Sequence, residues 1–324
     1  MYWDINKVLS YNCLYNFIVG ARGVGKTYGA KRWAINDFLK NRAEFIYLRR
    51  YDTELENITK FFDDIWKEFS EHKLSVKGKL FFIDGEYAGR AISLSTSRKE
   101  KSTPFPAVNK IIFDEFILDR GTHHYLADEV TTFLEFYSTV ARSRDVRTLF
   151  LSNALTITNP YFIYFRLNLP YGKDIVAKND ILLQCVKDAE YTEMMKNTRF
   201  GKIIAGTPYG NYNIENEFLR DDPVFLGKKS VTAHYVFTMV YQDHKIGIWT
   251  DYTQGLMYAS ADIDPSCKLV YSLTLSDHSP NMMLLKAHRS ILFERFLKCY
   301  KTGVVRFENQ QIKNICQEII RLTL

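Results

Sequence analysis

Gly20-Ala21-Arg22-Gly23-Val24-Gly25-Lys26-Thr27 fits the phosphate-cradling pattern of two glycines at the required spacing followed by Lys and Thr. Before it runs Tyr15-Asn16-Phe17-Ile18-Val19, a short apolar run ending at a glycine; after it, Ala30, Ala34 and Phe38 recur at helical spacing through Leu39. The order is strand, loop, helix. Glycines let successive backbone N–H groups turn inward on a polyphosphate, and the following helix offers the positive end of its dipole to the same charge. In that reading Gly20 to Thr27 cradles a polyphosphate, Lys26 reaches the terminal phosphates and the Thr27 hydroxyl holds Mg2+. A glycine turn without chemistry would not need both flanks.

Working outward, 324 residues allow about two domains, each with a sizeable core. Hydrophobic residues make up 46% and charged residues 25%. The net charge of +6 suits a polyanionic partner but is common in ordinary proteins. Five cysteines (Cys13, Cys185, Cys267, Cys299, Cys316), scattered and never in a C-x-x-C spacing, read as reduced cytosolic thiols and not as disulfides or a zinc site. The first residues lack a basic and apolar leader, and no apolar run is long enough to span a bilayer, so neither secretion nor membrane insertion is expected.

Glu44 to Leu48 reads as a second strand, placing Arg49 and Arg50 at a strand end facing the crevice where open α/β sheets bind ligands; a solvated loop charge is the equal alternative. Thr53 and Glu56 form a capping box that predicts an amphipathic helix burying Phe61, Phe62, Ile65, Trp66 and Phe69. Residues 74 to 94 predict a small antiparallel excursion, followed by the basic loop 97–102. Lys110-Ile111-Ile112-Phe113-Asp114-Glu115 is an apolar run ending in two acids, as for a strand buried on both faces with acids beside the phosphate loop. Asp114 can support the metal, while Glu115 would polarise the attacking water, which a hydrolase needs and a kinase must avoid. Asp128 to Val140 predicts a helix, and the strand 147–151 ends in Ser152-Asn153, a polar pair able to hold the attacking water or to cap a turn. Arg142, Arg144 and Arg147 are all candidates for an arginine finger serving a neighbouring subunit.

The first domain is expected over 1–197, closing with the strand Ile181 to Val186 and the helix Glu190 to Lys196. A Gly- and Pro-rich linker follows at 198–230, then a second domain at 231–324. There the period becomes two, with strands Thr232–Tyr241, Lys245–Asp251 and Gly255–Ser260 as a meander. A strand Lys268–Leu275, a long helix from Asn281 to about Tyr300, a strand Val304–Phe307 and a final helix Gln310–Leu322 complete the chain. That order suits an RNase H-like α+β domain or a generic one.

Several strings resemble a known family. Phe17 to Thr27, Phe45 to Tyr51, Phe113-Asp114-Glu115-Phe116, Leu151-Ser152-Asn153-Ala154, Asn159-Pro160-Tyr161-Phe162, Thr198 to Gly201 and Gln254 to Tyr258 are similar, in this order, to the DNA-packaging ATPases of small podophages of the phi-twenty-nine group. The resemblance implies an N-terminal P-loop ATPase of the additional-strand, catalytic-glutamate (ASCE) class with a mostly parallel sheet, and a C-terminal domain like the terminase nuclease. It implies a homo-oligomeric ring, a pentamer, that docks from the host cytoplasm on the portal (connector) protein at the prohead vertex and pumps double-stranded DNA with ATP and Mg2+. A structural prohead RNA is a further implied partner. By resemblance Glu115 is the catalytic base, Asn153 the sensor, Arg142 the trans-acting finger, and Lys101 a second residue acting between subunits. Arg49 and the loop after it match a DNA-facing segment, where Asp52 departs from the family's basic residue. The first strand of the second domain, Tyr235 to Tyr241, carries no acid, and Asp251, Asp262 and Asp264 do not replace one, so that domain is expected to be a degenerate nuclease kept for binding. Two other readings remain: a different P-loop enzyme such as a small-molecule kinase, and a nucleic-acid-binding scaffold with a decayed ATP site.

Overall fold

A short helix α1 (Ile5–Leu9) leads into strand β1 (Tyr15–Gly20), which passes through the glycine loop into helix α2 (Lys26–Asn41). The computed structural model describes residues 3–118, 124–126, 128–153, 159–167, 174–186, 188–204, 207, 225–285 and 290–323. Ala154, Ala287 and the linker residues Gly206, Pro208, Gly210 and Pro223 lie outside the described residues. The chain divides into two compact units, Met1–Thr156 with Leu169–Leu219 and Ile157–Asn168 with Arg220–Leu324.

In the first unit follow β2 (Glu44–Arg49), β3 (Leu74–Lys77), β4 (Leu80–Ile83), β5 (Glu86–Ser93), β6 (Val108–Asp114), helix α3 (Glu129–Ala141) and β7 (Arg147–Asn153). After helix α4 (Pro160–Tyr164), which belongs to the second unit, come β8 (Ile175–Lys178), β9 (Ile181–Val186), α5 (Ala189–Asn197) and α6 (Arg199–Ile204). The sheet order is β3-β4-β5-β2-β6-β7-β1-β9-β8. Strands β5 to β9 in that order run parallel, with antiparallel additions at both edges. β1 is buried at every residue, which is why it reads as a continuous apolar run without alternation. β7 sits between β1 and the acid-bearing β6, so their carboxyl ends share one rim.

One face of the sheet is sealed by aromatics: Phe17 stacks on Phe150 with ring centroids 4.2 Å apart, and Phe133 of α3 lies 4.9 Å from Phe150. Against the other, α2 buries Ala30, Ala34, Ile35 and Phe38. Each large apolar side chain so buried contributes roughly 1.5–3 kcal/mol.

The helix expected from the Thr53–Glu56 box does not form. Asp52–Leu55 and Ile58–Lys60 are 3-10 turns, and the backbone bonds onward to His72 mostly span three residues. Two competitors explain this. Glu54 takes the Tyr51 N–H at 2.6 Å, moving the cap upstream. The Lys31 ammonium donates to Phe61 O at 2.7 Å, occupying a carbonyl that an α-helix would spend on Ile65. Phe61, Phe62, Ile65 and Phe69 are buried as expected, but Trp66 is 54% exposed. The basic segment is also regular, as a 3-10 helix over Leu94–Glu100.

Arg49 and Arg50 part company. Arg50 is fully buried, pairing with Glu129 at 2.7 Å and donating to Phe116 O at 2.6 Å. It is an internal tie between β2 and α3, where losing one partner alone costs about 3–5 kcal/mol.

In the second unit, β10 (His234–Tyr241), β11 (His244–Asp251) and β12 (Leu256–Ser260) form the meander. The first turn is closed by Gln242 and Asp243, both at positive φ (47° and 60°), the hairpin geometry that matches strand twist. β13 (Val270–Ser272) and β14 (Met283–Leu284) add in parallel beside β10, and β15 (Val305–Phe307) in parallel beside β12. Of the six-stranded order β15-β12-β11-β10-β13-β14, the five strands β12 to β14, a meander followed by two parallel strands, are RNase H-like, with β15 added beside β12. Helices α7 (Ile291–Lys301) and α8 (Gln310–Thr323) supply Phe296, Ile315 and Ile319 to its core. The long helix expected from Asn281 starts ten residues late: Met283 and Leu284 pair with β13, and the Ser290 hydroxyl, accepting from Phe293 N–H, sets the start. Part of the expected linker is structured, Arg199–Ile204 as helix and Leu226 bridging to Phe307.

Candidate active site

The glycine loop is shaped by close approach as well as by torsion. Gly23 and Gly25 both take φ +86°, and a methyl group on Gly20 would lie 2.6 Å from Val186 O of the neighbouring β9. Gly23 also lets the Tyr191 hydroxyl of α5 press against the loop, a contact no sequence pattern announced. Lys26 opens α2 and is 7% exposed, its ammonium folded back on Gly20 O at 3.0 Å and Ala21 O at 2.7 Å. Burial lowers its pKa to about 8, against a partial upward pull from Asp114.

Across the loop stands the end of β6. The Thr27 hydroxyl lies 3.1 and 3.3 Å from the two Asp114 oxygens, and Tyr47 of β2 donates to Asp114 Oδ2 at 2.9 Å. Burial first and the Asp114 charge second push the Tyr47 hydroxyl well above its usual pKa, so it remains a donor. Tyr47 was not singled out from the sequence; its place on a strand paired with β6, opposite Ile112, is the signal that could have found it. Glu115 adopts φ +57°, turning out of the strand, and its carboxylate meets Arg49 Nη2 at 2.6 Å; Arg49 also bonds Glu54 at 3.1 Å. The positive φ separates the tasks of adjacent acids: Asp114 turns to Thr27 and Glu115 to the open crevice.

Asn153 ends β7 directly beside Gly20, while Ser152 is occupied with Ile117 O at 3.3 Å. Lys26, Thr27, Asp114, Glu115 and Asn153 thus line one cavity of about 320 Å³, with Arg22, Gly23 and Gly25 on its loop side. Arg142 and Lys101 are not among its lining residues. Arg142, exposed at the C-terminus of α3 with φ +53°, has no side-chain hydrogen bond or ion pair among the described residues. Arg144 differs, donating to Phe105, Pro106, Val108 and Val140 carbonyls, and Arg147 donates to Asn12. Lys101 lies 3.7 Å from Glu135.

The donor set fits a magnesium ion that arrives with phosphates and keeps its waters, since Thr27 and Asp114 offer hard oxygens from two elements. No group of three or more metal-ligating side chains occurs among the described residues. In the second unit each acid considered has a local task. Asp251 accepts from Thr232, Ser230, Thr253 and Gln254; Asp262 pairs with Lys229; Asp264 bonds Ser266.

The profile of the family described as Podovirus DNA encapsidation protein (Gp16) matches residues 1–323. The DNA packaging protein of Bacillus phage phi29 is 41% identical over 323 residues, covering 99% of this chain and 97% of that relative. Among solved structures, a chain of the bacteriophage Phi-29 viral genome packaging motor assembly is similar with a TM-score of 0.78 and 40% identity, covering 100% of this chain and 99% of that one. The N-terminal domain of the DNA packaging ATPase from bacteriophage phi29 is similar with a TM-score of 0.56 and 41% identity, covering 59% of this chain and 98% of that one.

Proposed function

The chain belongs to the podovirus DNA encapsidation protein (Gp16) family, and from that premise we propose that it hydrolyses ATP to drive double-stranded DNA into a preformed prohead through the portal. The observation that carries the enzymatic part is the single cavity in which the Lys26–Thr27 loop faces Asp114 and Glu115. Gly20 to Thr27 cradles the polyphosphate, and Lys26 leaves its two carbonyls for the terminal phosphates. Thr27 and Asp114 would hold Mg2+, which would supply positive charge against that developing on the phosphates. Glu115 takes the proton of the attacking water, which Asn153 orients from the adjacent strand β7. A carboxylate bound to Arg49 is a poor base, so hydrolysis follows release of that pair.

Subunits assemble as a ring on the portal protein in the host cytoplasm, with a prohead RNA as a further partner. Arg142 and Lys101, outside their own cavity, act on a neighbour's. The test is hydrolysis by the purified chain with and without duplex DNA. Duplex DNA should stimulate phosphate release, more at low salt than at high, whatever its sequence. Phosphate delivered to a metabolite, or hydrolysis indifferent to DNA, would refute the proposal.

The Lys26 environment gives a pH signature. Free protein loses the ammonium charge as pH rises through about 8. Bound phosphates restore it, so the complex holds more protons on the alkaline side, and ATP affinity should fall as pH rises through about 8 to 9. Calorimetry in buffers of differing ionisation enthalpy should record proton uptake there; flat affinity across this range would contradict it.

A further inference from the structure

At the β15 edge of the second unit lies a cavity of about 360 Å³ walled by the rings of Phe225, Tyr300 and Phe307. Lys301 and Lys313 also line it, and among the described residues no carboxylate does. Lys313 is 9% exposed, and its ammonium has only the Phe225 ring, 5.6 Å away, with no hydrogen bond or ion pair among the described residues. Other buried lysines behave differently: Lys26 donates to two carbonyls and Lys110 pairs with Asp37. Its stem is buried while its ammonium, without an acceptor of its own, stands at a cavity wall, so the positive charge facing that space points to an anion that completes it. Arg306 adds a second cation 5.8 Å from the Phe225 ring, while Glu308 and Glu318 are occupied by Ser260 and Arg321.

Flat apolar walls beside unneutralised positive charge match an aromatic ring carrying a phosphate. The volume is at the small end for ligand pockets, about 300–1,000 Å³, room for one nucleotide and not for a duplex. We propose that this cavity binds a single unpaired nucleotide, its base against Phe225, Tyr300 and Phe307 and its phosphate on Lys313 with Lys301 beside it. The nucleotide is either free or an unpaired residue of a single-stranded chain. The site is separate from the glycine loop and does not depend on the proposed motor function.

The test uses the full chain carrying Lys26→Ala, to silence the glycine loop, and three probes: radiolabelled AMP in equilibrium dialysis, and labelled short single-stranded DNA and RNA in fluorescence anisotropy. Lys313→Gln and Phe225→Leu should each weaken binding about tenfold, the size of one lost stacking or charge contact. Lys313→Arg should retain it, and blunt duplex binding should not change. AMP binding alone would identify a free-nucleotide site, and oligonucleotide binding without AMP an unpaired residue of a polymer; either supports the proposal. Lys301→Gln, at an exposed position that leaves the fold intact, should weaken binding in the same direction, which guards against misfolding of the Lys313 variant. Absence of binding by all three probes, or affinity unaffected by both lysine substitutions, would overturn it.

Discussion

Replacing Glu115 by glutamine is expected to lower DNA-stimulated ATP hydrolysis about a thousandfold, within the range for loss of a general base. Glutamine keeps the shape of the side chain but cannot accept the water's proton. ATP affinity should be nearly unchanged, because Glu115 touches neither Lys26 nor Thr27; its partner is Arg49, 2.6 Å away. That pair is half open to solvent on the Glu115 side, 50% against 14% for Arg49, so it is worth only about 1 kcal/mol and can be exchanged for ATP contacts at little cost. A single-turnover measurement separates the two steps. If Glu115→Gln protein bound ATP normally and still hydrolysed it at the parent rate, Glu115 would not be the base.

Arg142→Ala should cost about a thousandfold in the assembled ring, the low end for removing an arginine finger, and the loss should be recoverable. In a mixture with Lys26→Ala subunits, an intact loop on one subunit meets an intact Arg142 on the next. At equal ratio and random assembly about a quarter of the interfaces should regain activity in a closed ring. A mixture no more active than either variant over all ratios would remove the interfacial role. Arg144→Ala should behave otherwise, strand four carbonyls and lower the unfolding midpoint, because its guanidinium ties the α3 terminus to residues 105–108.

What the chain disclosed without coordinates was whatever repeats locally or is dictated by torsion. The loop Gly20 to Thr27 was legible because only glycine tolerates φ +86° and a neighbouring carbonyl at 2.6 Å, and β6 because a strand buried on both faces has few polar positions before its final acids. The meander was legible from period two and turn residues. Three things needed the folded molecule, for one reason: each depends on a partner far away in sequence. Lys31 drawing off the Phe61 carbonyl unwound an expected helix, and the β13 edge captured Met283 and Leu284 before α7 could begin. Adjacent arginines with identical local context took opposite fates, because Glu129 reaches Arg50 in the core while Glu115 meets Arg49 at the rim. Local sequence carries torsion and periodicity; which charge is buried, and against what, is decided only when distant segments close on one another.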